Sequence, residues 1–216
     1  MGVMQLFRTM RSDDALTESP PPVTGPDTSV QRDTGTSVGL DALERHYGAW
    51  VTPAAVRIRA ALLLHRSGRK SEAWLAFERL LADPALGGSS KVRPMLESEI
   101  YSRMRICHER EGCFNPALTP AVLSYSTRAQ FFALQERVGE LRALTAAPFF
   151  DRHFTPLLQR TRLLHALPAL RTLVAGHLDS LPMLDIAGLR AAIEALRENP
   201  PSAPKRAPGE KPDFVS

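Results

Sequence analysis

Between residues 40 and 198 apolar side chains recur every three or four positions, and no alternation of apolar and polar residues persists for more than a few residues. Leu and Ala dominate this stretch and β-branched residues are sparse, so the pattern predicts an all-α domain. Pro53 to Ser67 carries Val56, Ala60, Leu63 and Leu64 as its apolar positions and stops at Gly68, a natural left-handed terminator. Ser71 opens a second helix through Leu81, ended by Pro84, and a loop containing Gly87, Gly88, Ser89 and Ser90 leads to a third from about Pro94 to Arg110, stopped by Gly112. Thr127 with Gln130 reads as a capping box for a helix to about Thr145, its apolar face formed by Phe131, Leu134, Val138 and Leu141. Shorter helices are expected near 156–166, 168–180 and 186–197, and a brief one around Leu40–Tyr47. Helix starts are marked by Thr52-Pro53, Asn115-Pro116, Thr119-Pro120 and Thr155-Pro156, where a capping side chain precedes a residue that needs no hydrogen-bond donor.

Composition changes the picture mainly at the two ends. Residues 1–39 are rich in Ser, Thr, Asp, Pro and Gly, and residues 199–216 read NPPSAPKRAPGEKPDFVS. Neither segment holds enough apolar area to offset the entropy of ordering it, so both are expected to be disordered. The opening residues lack the apolar run of a secretory leader, and Leu6 stands where an N-myristoylation signal wants Ser or Thr. The formal net charge of +4 is modest and is carried by Arg, since Lys occurs only at 70, 91, 205 and 211. Two cysteines, Cys107 and Cys113, are too few for a disulfide framework and point to a reducing compartment such as the cytoplasm.

Aligning Gly68 on Gly112 brings out a shared pattern. Ala73 and Ala117 follow the glycines at five residues, and Phe77 and Ala121 follow at nine. A small residue is needed five positions on because the two helices of a hairpin cross closest there. The pattern over roughly 55–125 resembles the tetratricopeptide family of helix-turn-helix repeats, with Ala61 at the family's small position on the first helix and Tyr101 at a large aromatic position in the second unit. The two glycines are 44 residues apart, whereas the family repeat is about 34, and Arg105 occupies the second unit's small position. The resemblance implies helical hairpins over about 53–125, stacked and capped by a C-terminal bundle over about 127–198. It also implies a protein partner held on the side lined by the first helix of each pair. Carried over by offset from the glycines, that surface is Ile58, Leu62 and His65 in one unit and Ser102, Ile106 and Glu109 in the other. The function that follows is an adaptor, assembly or chaperone-like factor; burial of Ile58, Leu62 and Ile106 beneath other helices is the competing expectation.

A second reading rests on charge. Arg152, Arg160, Arg162 and Arg171 occur with no acidic residue between Asp151 and Asp179, so the 152–171 segment is the candidate surface for nucleic acid or another anionic partner. A DNA-reading helix-turn-helix around Gly68 is disfavoured by Arg69 and Lys70, which stand where the motif wants an apolar residue. Cys107 and His108 are adjacent and diverge on a helix, and His153, His165 and His177, twelve residues apart, are separated by prolines. No metal or cofactor is therefore expected. Nothing resembles a phosphate loop, a nucleophile elbow or a paired-carboxylate site, so the sequence points away from an enzyme.

Overall fold

The computed structural model describes residues 34–88 and 91–202. Nine α-helices are present among them, with no strand: α1 (Thr34–Tyr47), α2 (Thr52–Arg66), α3 (Lys70–Ala82), α4 (Arg93–Arg110), α5 (Phe114–Leu134), α6 (Val138–Thr145), α7 (Ala147–Arg160), α8 (Leu167–Leu178) and α9 (Ile186–Glu198). Single 3-10 turns at Gly48–Trp50 and Leu164–Ala166 precede α2 and α8. The expected disorder at 1–33 and 203–216 lies outside the described residues. Helix α1 reaches back to Thr34, inside the segment expected to be disordered.

Four helices end in the same way. Arg69, Cys113, Arg137 and Leu163 each donate their backbone N–H to the carbonyl five residues earlier, on Leu64, His108, Phe132 and Leu158. The residue just before each donor is left-handed and donates three residues back: Gly68 to His65, Gly112 to Glu109, Glu136 to Ala133 and Arg162 to Gln159. This doubly bonded terminator satisfies carbonyls that the helix leaves unpaired. At Gly68 and Gly112 it uses the residue best suited to it, whereas Glu136 and Arg162 adopt φ of 54° and 60° with a full side chain.

The centre of the molecule is the antiparallel pair α4 and α5. Ser98 Oγ donates to the Ser124 carbonyl at 2.8 Å and Ser124 Oγ returns a bond to the Ser98 carbonyl at 2.9 Å, both buried. Such reciprocal bonding requires the two backbones to approach closely, which the short serines permit. Helix α5 is buried without a break from Ala117 to Thr127. The α2/α3 hairpin packs on α4, through contacts from both of its helices, while α6, α7, α8 and α9 all touch α5. Ala73 and Ala117, the small residues five beyond each glycine, are completely buried, as is Phe77.

Several local expectations are corrected. Val56 and Leu63 face solvent, being 57% and 62% exposed, and the interior side of α2 is instead Ala54, Ala55, Ile58, Ala61 and His65. Thr127 caps nothing: its hydroxyl donates back to the Leu123 carbonyl inside α5, which runs on to Leu134. The anticipated helix to Thr145 is thus two helices, and Val138 is exposed. Pro120 lies inside α5 and Pro156 inside α7 rather than at starts. A proline deprives a helix interior of one hydrogen bond, and in α5 the burial on both sides of Pro120 outweighs that loss. Thr52 Oγ1 donates to the Gly48 carbonyl instead of accepting a cap bond. Asp185 does cap, its carboxylate accepting from the Gly188 N–H at 2.9 Å.

Two stability predictions follow from this geometry. A Cβ on Gly68 or on Gly176 would meet no atom within 4 Å, but Gly68 has φ of +83° and Gly176 is an ordinary helical residue. Gly68→Ala should therefore destabilise by about 1–2 kcal/mol and Gly176→Ala should stabilise by about 0.5–1 kcal/mol, measured by urea denaturation. Ala73→Leu should cost roughly 1–3 kcal/mol because there is no room at the α2/α3 crossing; the same change at exposed Ala82 should cost little.

Candidate functional site

Helix α2 has two apolar sides. Opposite its buried face, Pro53, Val56, Ala60, Leu63 and Ser67 follow one another at intervals of three, four, three and four residues, and all five are exposed. That spacing draws one narrow line along the helix, the seam along which two helices interlock knob into hole. Scattered exposed apolar residues are ordinary on a protein surface; their alignment on one helix is the feature that singles these out. Arg57, Arg59 and Arg66 flank the line. Arg57 pairs with Asp83, and Arg59 with Asp41 and Glu44. Even so paired, the side chains of Arg57 and Arg59 remain 48% and 41% exposed.

The residues expected to line a groove are placed otherwise. Ile58 is completely buried and belongs to the core, so it presents nothing to a partner. His65 is also buried, its Nε2 lying 2.8 Å from Glu111 Oε1. The reason is one of phase: the buried stripe of α2 runs through Ile58, Ala61 and His65, and the groove offsets fall on that stripe. Leu62 is partly buried against the core. Ser102, Ile106 and Glu109 are half-buried on α4, with Glu109 accepting from Arg105 Nη1 at 2.7 Å.

His65 belongs to a junction that ties the two hairpins together. Glu111 also meets Lys70 Nζ at 3.3 Å, and Trp74 presents an edge contact to His65 while stacking on His108 at 4.3 Å. Burial raises the Glu111 carboxyl, but the hydrogen bonds from His65 and Lys70 prevail and leave it below the usual carboxylate range. Burial lowers His108 and pushes the Cys107 thiol up to about 11, which suits a packed side chain rather than a nucleophile.

The four arginines of the charge-based reading are not gathered into one patch of free cations. Arg171 is ion-paired with Asp151 across the α7/α8 contact, and the Arg160 guanidinium lies over the Phe114 ring at 4.9 Å from its centre. Arg152 and Arg162 are exposed. His153 stacks on Phe149 in α7, while His165 lies in a 3-10 turn and His177 near the end of α8. No group of three or more potential metal-ligating side chains occurs among the described residues, and no helix among them is long and apolar enough to cross a membrane.

Two concavities carried no signal in the sequence, because each draws its walls from distant segments. One, of about 160 Å³, lies between α4, α5 and α9. There Thr119 Oγ1 donates to Glu194 Oε1 at 2.6 Å, Arg197 binds Thr119 and Asn115, and Arg190 lies over the Tyr101 ring. Its polar groups largely satisfy one another. The other, of about 330 Å³, is mainly apolar and lies where α5, α6, α7 and α8 meet. Comparison with protein-family models, with curated proteins and with solved structures found no match for the chain.

The His65–Glu111–Lys70 contact has a pH signature. A depressed carboxyl contributes stability above its unfolded value and loses it as pH falls through the folded one. Glu111→Gln should therefore lose stability near neutral pH and show a shallower further decline than the parent below about pH 5, as read by denaturation at a series of pH values. Parallel curves for the two proteins would contradict the role given to this contact.

Proposed function

We propose that the protein is a helical interaction module that receives an amphipathic helix of a partner protein along the outer face of α2. The observation that carries this reading is the line of Val56, Ala60 and Leu63, exposed at seam spacing on a helix whose opposite side is core. A partner helix laid on that line would remove from water the exposed 57% of Val56 and 62% of Leu63, worth about 1–2 kcal/mol each. The likeness of the α2/α3 and α4/α5 units to tetratricopeptide hairpins supports the same class of function, an adaptor or assembly factor, with the binding face moved from the inner residues Ile58 and His65 to the outer side of the same helix. Nucleic-acid or anionic-surface binding through 152–171 is less well supported, because Arg171 is paired with Asp151 and Arg160 rests on Phe114.

The test is site-specific photocrosslinking in the native host. A benzophenone side chain at position 63 or 56 should give a discrete adduct with another protein, and one at exposed Glu78 should not. Val56→Glu should abolish the adduct formed from position 63. Both Val56→Glu and Leu63→Glu should leave folding stability within about 0.5 kcal/mol of the parent, since neither residue is part of the core. Equal adducts from positions 63 and 78, or an adduct formed only between two copies of this chain, would overturn the reading.

A further inference from the structure

The first residues of the chain carry a pattern that matches the exposed line of α2. Val3, Leu6, Phe7 and Met10 follow one another at the spacing of one helical face, while Gln5, Thr9 and Ser12 fall on the opposite side. Val3, Phe7 and Met10 repeat the interval of four and then three residues that separates Val56, Ala60 and Leu63. Phe7, the largest of the first set, thus corresponds to Ala60, the smallest of the second. A segment this short does not hold a helix by itself in water and needs an apolar surface to lie on.

The segment is tethered beside such a surface. Helix α1 lies against α2, where Arg59 pairs with Asp41 and Glu44, and Thr34, the first residue of α1, is about 10 Å along the helix from Asp41. Residues 11–33 join Met10 to Thr34, and a chain of that length has a root-mean-square span of about 25–30 Å. The line from Pro53 to Ser67 is about 21 Å long, so the whole of it is within reach. A tether matched to its span holds its end at an effective concentration on the order of millimolar, at which a weak contact suffices.

Other surfaces of the molecule suit this segment less well. Among the described residues, Leu75, Val138, Phe149, Leu164 and Met183 are exposed but stand on five different elements and form no line. The 330 Å³ pocket is smaller than a helix of eight residues, which is about 10 Å across and 12 Å long.

We propose that residues 3–10 dock as a short helix along Val56, Ala60 and Leu63, so that the chain occupies its own seam until a partner helix displaces it. The displacement rests on α2 being the docking face for a partner; the self-docking stands apart from it.

The test uses the purified full chain with a benzophenone side chain at position 63, its adducts mapped by mass spectrometry at several protein concentrations. The expected product joins position 63 to residues 1–11 of the same molecule with a yield independent of concentration, and attachment at exposed position 78 gives none. Phe7→Glu, Leu6→Glu and Val56→Glu should each lower that yield by about tenfold, whereas Gln5→Glu on the opposite side should leave it within about twofold. In the native host Phe7→Glu should raise the partner adduct from position 63 by about threefold or more, because the seam is then free in a larger fraction of molecules. Adducts spread evenly over residues 1–33, a yield that rises with concentration, or a yield indifferent to Phe7→Glu would overturn the self-docking. An intact intramolecular product with no adduct to another protein in the host would instead overturn the partner reading alone. A partner adduct unaltered by Phe7→Glu would overturn the displacement.

Discussion

The close approach of α4 and α5 is the constraint on which the remaining helices depend. Ser98 and Ser124 exchange hydrogen bonds with each other's carbonyls, and no larger residue allows the two axes to come so near. With α5 held there, its other sides are open to partners, and α6, α7, α8 and α9 all occupy them. The long uninterrupted burial from Ala117 to Thr127 results from this position, not from an amphipathic pattern. A helix surrounded on all sides is not required to have a polar face.

The two ends of the molecule consequently differ in character. On the α4 side the α2/α3 hairpin is added with α1 against α2, and among the described residues Val56 and Leu63 on the outer side of α2 stay exposed. The His65–Glu111 contact and the Trp74–His108 stack fix that hairpin by its turn end. On the α5 side the shorter helices crowd together, and imperfect packing of three of them against α5 leaves the apolar pocket between α5, α6, α7 and α8. The exposed seam and the open apolar pocket are thus two results of building unequal layers on one central pair.

The all-helical class and the ends of α2 and α4 were legible because glycine is the direct chemical signal for a left-handed terminator. The same terminator at Glu136 and Arg162 was not legible, since neither residue advertises positive φ, and this is why α5 and α6 read as one helix starting at Thr127. Prolines misled for a related reason: a Thr-Pro pair announces a start only where tertiary burial does not compensate the lost bond, and around Pro120 it does. In α2 both long sides are apolar, so periodicity alone had no means to decide whether Val56 and Leu63 or Ile58 and Ala61 face inward. That decision rests on the neighbour, and the small side chains of Ala54, Ala55 and Ala61 allow α3 and α4 to come near. The Leu141–Phe150–Val174 wall of the pocket comes together only in three dimensions, which no local spacing encodes.

Because α6 to α9 reach the rest of the chain chiefly by way of α5, the polypeptide has no natural cutting point between Leu134 and Val138, despite the turn there. A fragment ending near residue 136 would carry α5 with most of its apolar circumference stripped bare, and the complementary fragment would hold four short helices with no common surface to fold upon. Split reporters, inserted tags and domain grafts that treat this turn as a boundary would inherit two incomplete halves. A portable unit therefore has to keep α5 together with α6 to α9.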